Sequence, residues 1–202
     1  VIMGHKTEVL WGKETITDKI GDFEFNISAK SFFQVNTKQA EVLYKKALEY
    51  ADLQGNETVI DAYCGTGTIS LFLAQKAKKV YGIEMVKPAV INAKENAKNN
   101  NVKNVEFIIG DTLEVMPKLY KEGIKPDVIV VDPPRAGCEK SVLETFAQMN
   151  PNKIVYVSCN PASLARDIAI LAEHNYQAIQ IQPVDMFSQT SHVEVICELV
   201  RK

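Results

Sequence analysis

Hydrophobic positions along the chain follow two periods. From about residue 57 onward, seven short β-branched runs recur: ETVIDAYC, KKVYGIEM, NVEFIIGD, PDVIVVD, KIVYVSC, YQAIQIQPV and HVEVICELV. Between most of them lie GTISLFLAQKA, KPAVINAKENAKNN, TLEVMPKLYKEG, EKSVLETFAQMN and PASLARDIAILAEHN, whose apolar residues are spaced by three and four, as on one face of a helix. This alternation predicts βαβ units around a mostly parallel, seven-stranded, Rossmann-like α/β sheet. Several runs are apolar throughout their centres, so both sheet faces are expected to be covered by helices. The last two runs follow each other with no helix between them, which predicts an antiparallel last strand.

Ahead of this block, TEVLWG and DFEFNIS read as two strands with a polar connection, and TKQAEVLYKKALEYADL as an amphipathic helix entering the sheet. Residues 1–36 are thus expected to form a short β-hairpin lead-in and residues 37–202 the main domain. Asn160 followed by Pro161 suits an N-cap and first helical residue, which starts the last helix directly after Cys159.

Composition adds bounds. With 202 residues, 46% of them hydrophobic, the chain can close one substantial core. No apolar run reaches the roughly 18–20 residues needed to cross a bilayer, and the N-terminus carries no signal-like pattern, so a cytoplasmic protein is expected. Cys64, Cys138, Cys159 and Cys197 are widely separated, with no spacing that suggests disulfides or a metal site. The net charge of -2 predicts weak RNA affinity for this domain alone, because Lys and Arg contacts to phosphate dominate nonspecific binding. Opening at Val1 in mid-pattern, the chain is expected to be a piece of a longer protein whose N-terminal part supplies that affinity.

VIDAYCGTGTISLFLA places a strand, then Gly65 and Gly67, then a helix, the arrangement that brings open backbone and a helix N-terminus to a ligand. Ser70 stands where a dinucleotide fingerprint wants its third glycine, so methyltransferase and dehydrogenase readings both stay open. Glu84 ends the next strand, where an acid can accept from both ribose hydroxyls, although a solvated strand end is the plain alternative. Asp111 closes the third strand as a candidate adenine contact or, equally, an N-cap.

Two strand ends carry the candidate chemistry: Asp132-Pro133-Pro134-Arg135 and Ser158-Cys159-Asn160-Pro161. The prolines make a stiff extended loop over the crevice. At a helix N-terminus the dipole favours thiolate, so Cys159 is the candidate nucleophile. A thiolate added at carbon 6 of uracil makes carbon 5 an enolate able to attack a methyl donor, after which a base must remove the carbon 5 proton. Glu194, opening the last strand, and His192, with an unperturbed pKa near 6.5, are the two candidates for that base. The other three cysteines read as packing thiols, His5 and His174 have no evident role, and Lys94 and Lys98 read as a solvated helix face. Phe32 and Phe33 are read as packing, with stacking on a base as the alternative.

SFFQVN, DAYCGTG, GIE, DPPR, SCNP and HVEVI occur in the order found in the RNA (uracil-5-)-methyltransferase family, which the chain resembles over nearly its whole length. The resemblance implies a class I methyltransferase domain using S-adenosyl-L-methionine, with residues 1–36 a remnant of a larger protein's central region. It implies cofactor contacts at Gln34, Tyr63, Glu84 and Asp132, the nucleophile at Cys159 and the base at Glu194, with Arg135 in supporting electrostatics. The expected substrate is a uridine in RNA, ribosomal RNA before transfer RNA. An N-terminal RNA-binding barrel and a cysteine cluster, both found in family members, are absent from this sequence.

Four other readings remain. A base-amino methyltransferase would follow the prolines with an aromatic, where Arg135 stands. A cytosine carbon 5 methyltransferase would share the thiolate. A nicotinamide oxidoreductase leaves SCNP unexplained. A noncatalytic RNA-binding module fits poorly with the slight negative charge.

Overall fold

A computed structural model describes residues 7–29 and 31–202; residues 1–6, His5 among them, lie outside the described residues. Two strands, β1 (Thr15–Ile20) and β2 (Phe23–Ser28), form an antiparallel pair. Helix α1 (Thr37–Ala51) then leads into β3 (Thr58–Ala62), α2 (Thr68–Ala74), β4 (Lys79–Glu84), α3 (Lys87–Asn99), β5 (Val105–Ile109) and α4 (Thr112–Lys121). The second half runs β6 (Val128–Val131), α5 (Lys140–Met149), β7 (Lys153–Ser158), α6 (Pro161–Glu173), β8 (Tyr176–Val184) and β9 (Glu194–Arg201).

The seven-stranded sheet has the order β5-β4-β3-β6-β7-β9-β8, with β9 antiparallel to both neighbours. This is the expected Rossmann-like arrangement. Alternate residues of the central strands supply two cores on opposite faces. Val59, Val128 and Val130 join the core beneath α1, α2 and α3, while Ile60, Ile129 and Val131 join the one beneath α4, α5 and α6. Leu43 and Phe72 fill the first and Phe146 the second; burial of each such side chain stabilises by roughly 1.5–3 kcal/mol.

One expectation is corrected. TEVLWG is not a strand: Leu10 and Trp11 are 94% and 95% exposed, and DFEFNIS pairs instead with TITDKI. The two-residue connection Gly21–Asp22 fixes that pairing, because Gly21 takes φ 56° and Gly-Asp is a tight-hairpin sequence. β2 then turns Phe23, Phe25 and Ile27 into the first core.

Strand register sets where the chemistry emerges. Ala62 lies opposite both Ile83 and Val131, and Val131 opposite Tyr156, so residues following β3, β4, β6 and β7 leave at one sheet edge. Antiparallel β9 begins at that edge, with Val195 opposite Ser158. No helix among the described residues is long and apolar enough to cross a membrane.

Candidate active site

At this edge a cavity of about 460 Å³ is lined by Gln34, Tyr63, Gly65, Glu84, Asp132, Cys159 and Glu194, which gathers most of the residues singled out from sequence. Phe32, Phe33, Pro133, Pro134 and Arg135 complete its mouth, and Tyr44, Thr66 and Thr68 lie deeper. Gly67, Asp111 and His192 do not line it.

The glycine loop is built from three left-handed residues. Tyr63 takes φ 66°, an unusual conformation for a side chain of that size, followed by Gly65 at φ 55° and Gly67 at φ 84°. The two glycines serve different ends. A Cβ at Gly65 would meet nothing within 4 Å, so the backbone there faces open space. A Cβ at Gly67 would come within 2.7 Å of Phe107 Cζ, so this glycine allows the loop to pack on β5. Ser70, the residue that breaks the dinucleotide fingerprint, donates its hydroxyl to buried Asp61 at 2.5 Å.

Glu84 organises the loop from the next strand: Oε2 accepts from the Gly65 N–H at 3.1 Å and Oε1 from the Val86 N–H at 2.8 Å. It still lines the cavity with its remaining acceptor capacity. Asp111 instead caps α4, accepting from the Leu113 N–H at 2.8 Å, and is exposed outside the cavity. Burial leaves Gln34 Oε1 and Asp61 Oδ1 without a hydrogen-bond partner. Such orphaned acceptors cost roughly 1–3 kcal/mol each unless something answers them.

The DPPR and SCNP loops are locked together. Asn160 caps α6 by accepting from the Ala162 N–H at 3.1 Å, while its Nδ2 donates to Arg135 O at 3.1 Å. Farther out, fully buried Asp167 accepts from the Cys138 N–H at 2.8 Å and the Tyr156 hydroxyl at 2.5 Å. Arg166 bonds Asp167 and donates to Ala136 O at 2.9 Å and Cys138 O at 3.1 Å. The sequence reading missed this clamp because Arg-Asp inside a helix resembles a solvated pair. It missed Asp61 too, whose signal was an acid at the apolar end of TVIDA.

Electrostatics here are dominated by buried acids. Burial, and then Glu194, pushes the Asp132 carboxyl up to about 7. Burial likewise raises Asp61 to about 7 against the Ser70 hydrogen bond, helped by Asp132 and Glu84. Glu194 is raised by burial. The Cys159 thiol is also pushed above its ordinary value, by burial and then by Glu194 and Asp132; its own backbone N–H and Arg135 pull the other way without winning. Burial and the two acids thus oppose the help that the α6 N-terminus gives the thiolate.

Positions of the remaining residues are plain. Cys64, Cys138 and Cys197 are buried thiols, the last two pushed up to about 12 chiefly by burial. His192 is exposed, as are Lys94 and Lys98, and His174 ends α6. Phe33 packs against Phe25 at 5.8 Å between ring centroids, whereas Phe32 is 75% exposed at the cavity mouth.

Comparison with known proteins shows the family. The family model described as tRNA (Uracil-5-)-methyltransferase matches residues 4–202. An "uncharacterized RNA methyltransferase" of Clostridium tetani is 63% identical over 196 residues, 97% of this chain and 43% of that protein. One of Clostridium acetobutylicum is 59% identical over 201 residues, 100% of this chain and 44% of that protein. The crystal structure of Pyrococcus abyssi tRNA (uracil-54, C5)-methyltransferase in complex with S-adenosyl-L-homocysteine superposes with a TM-score of 0.81 at 37% identity, covering 94% of this chain and 45% of that one. The chain thus spans less than half the length of these relatives. Matched almost end to end by the family model, it belongs to the tRNA (uracil-5-)-methyltransferase family.

Proposed function

We propose that this chain is the catalytic part of an enzyme that methylates carbon 5 of a uridine in RNA with S-adenosyl-L-methionine, using Cys159 as nucleophile and Glu194 as base. The observation that carries the reading is that Cys159, Glu194 and Asp132 share one cavity with Gln34, Tyr63, Gly65 and Glu84.

The cavity suits a cationic cofactor. Glu84, Asp132 and Glu194 line it, with exposed Arg135 at the rim, so a pyrophosphate would meet carboxylates where a sulfonium and an ammonium meet complementary charge. Glu84 would take the ribose hydroxyls, Asp132 the methionine or base end, and the orphaned Gln34 Oε1 a donor from the ligand. Asp111, already spent as a helix cap, is left as an outer contact with adenine. Bound there, S-adenosyl-L-methionine supplies the methyl group.

Cys159 gives its proton to solvent and attacks carbon 6 of the uracil as thiolate, and the electron pair of the 5,6 double bond moves to carbon 5 as an enolate. Burial, then Glu194 and Asp132, hold the thiol up; a cation beside Asp132 would offset the last of these and lower the cost of forming the thiolate. Once carbon 5 carries the methyl group, Glu194 accepts the carbon 5 proton, the 5,6 double bond re-forms, and Cys159 leaves as thiolate. A carboxyl raised by burial is a better proton acceptor than an exposed one. Exposed Phe32 at the mouth offers a face on which the flipped-out base, or its neighbour, stacks.

The test uses S-adenosyl-L-methionine and RNA carrying 5-fluorouridine, whose fluorine blocks the last proton removal. Denaturing mass analysis should find a protein–RNA adduct with the wild-type chain and none with Cys159→Ala, which should still bind cofactor. Ribosomal RNA, the expected substrate, and transfer RNA, the substrate named for the Pyrococcus relative, are run side by side. Methyl transfer to an exocyclic nitrogen, with no adduct, overturns the thiolate route.

A further inference from the structure

Strand β2 is paired on one side with β1, so its other edge presents free backbone groups. Helix α3 and its C-cap Asn100 answer them with asparagines. The Asn26 N–H donates to Asn96 Oδ1 at 2.8 Å, and the Glu24 N–H to Asn100 Oδ1 at 2.9 Å. In return Asn100 Nδ2 donates to Glu24 O at 2.6 Å. Farther along, Ser31 Oγ donates to Asn92 Oδ1 at 2.9 Å.

Positions 92, 96 and 100 recur every four residues, roughly 6.0 Å along a helix, and same-edge groups of a strand recur every two, roughly 6.6–6.8 Å. This near match lets one helical stripe complete a strand edge as a neighbouring strand would. Asn92 and Asn96 are 5% and 0% exposed, so their amides are tolerated only because they are partnered.

The stripe also reaches the cavity from two sides. Asn96 Nδ2 donates to Thr66 O, in the glycine loop, at 3.1 Å. Ser31, held by Asn92, directly precedes Phe32, Phe33 and Gln34, which form another wall. One helix face therefore ties the glycine loop to the segment that carries Gln34.

We propose that Ser31, Asn92 and Asn96 are positioning residues for the cofactor, fixing the separation between Gln34 and the glycine loop. The inference rests on the S-adenosyl-L-methionine reading of the cavity. Its test is calorimetric titration of the chain with S-adenosyl-L-homocysteine, alongside thermal unfolding, for wild type, Ser31→Ala, Ser31→Thr and Asn100→Ala.

Ser31→Ala should raise Kd about three- to tenfold, the weight of one net hydrogen bond, and Ser31→Thr should restore affinity. Asn100→Ala, which loosens the far end of the hairpin, should lower Tm and leave Kd unchanged. Unchanged affinity in Ser31→Ala overturns the inference alone. So does an Asn100→Ala effect on Kd as large as that of Ser31→Ala, since the stripe would then act only through general stability. No binding by the wild type overturns the cofactor reading and the inference with it.

Discussion

Two cavities divide the molecule's charged groups into different regimes. One, of about 610 Å³, lies at the far ends of α1 and α2 and is lined by Lys45, Glu49, Asp52, Gln54 and Lys76. The other, of about 460 Å³, is the one that contains Cys159. In the larger, charges are answered in water: Lys45 pairs with Glu41 at 2.5 Å, and Glu49 with Lys46 at 2.6 Å. Such exposed helical pairs contribute a few tenths of a kcal/mol. In the smaller, Tyr44 and Ile69 share the lining with Asp132 and Glu194, and both acids are pushed up by burial, as is Asp61 outside the lining. Volume does not mark the site. Retained cost does, because buried acids and orphaned acceptors persist where a ligand or a reaction answers them.

The largest expected effect is on turnover. Glu194→Gln keeps shape and burial but removes the proposed proton acceptor, so methylation should fall by about 10²–10⁴, the usual weight of a positioned base. Thiolate addition needs no carbon 5 base, so a covalent protein–RNA species should now accumulate on ordinary uridine RNA, visible on a denaturing gel. Wild-type turnover would return the role to His192, exposed though it is. Glu49→Gln, the same change in the larger cavity, should alter neither rate nor adduct.

How much of this was legible follows from what each residue does locally. The seven strands and the helices between them were readable because their periods are set by burial on two sheet faces. Gly65, Glu84, Asp132, Cys159 and Glu194 were readable because strand ends in such a sheet emerge together, so linear motifs become one cavity. The first strand was misplaced onto TEVLWG by hydrophobicity, although Gly21–Asp22 carried the stronger signal. Asn92, Asn96 and Asn100 were invisible, since asparagines four apart on a helix read as a solvated stripe; nothing in the sequence says that a strand edge lies against them. Likewise the thiol's raised pKa comes first from its burial in the fold and then from two acids that lie 27 and 35 positions away.

A stability effect comes next. Asp167→Ala would leave the Cys138 N–H and the Tyr156 hydroxyl unanswered inside the second core. The expected loss is about 3 kcal/mol in urea denaturation, most of it from those two buried donors. Little comes from the ion pair, because the Arg166 side chain is 53% exposed. Adduct formation should slow as well, since the same clamp holds the loop that carries Asp132. A loss near zero would mean that water replaces the carboxylate and that burial at this end resembles the larger cavity.

Smaller is the pH dependence. Asp61 and Asp132 stand near 7 in the folded chain, against roughly 3.9 when unfolded. Between those values the folded state binds more protons, so unfolding free energy falls as pH rises from about 4 to about 7 and levels above it. The stability these acids add is present below the unfolded value and lost through the folded one. Asp61→Asn should flatten that decline by on the order of 1 kcal/mol per pH unit, read from denaturation curves across the window. An unaltered slope would place Asp61 in contact with water. S-adenosyl-L-homocysteine affinity should rise over the same window, as the acids ionise toward the ligand's ammonium.

The smallest effect belongs to the larger cavity. Asp52 ends α1 in the left-handed region at φ 49°, and its side chain accepts an exposed hydrogen bond from Gln54 Nε2 at 3.1 Å. Asp52→Gly relieves that conformation, worth about 1 kcal/mol, while giving back part of it as extra freedom in the unfolded chain. The net gain should be about 0.5 kcal/mol, a small upward shift in Tm, with affinity for S-adenosyl-L-homocysteine and the 5-fluorouridine adduct both unchanged. A weakened adduct would mean that the larger cavity communicates with the smaller one through α1, whose Tyr44 hydroxyl accepts from Thr68 at 3.3 Å. The two ends of the fold would then be one functional unit rather than a working edge and an inert one.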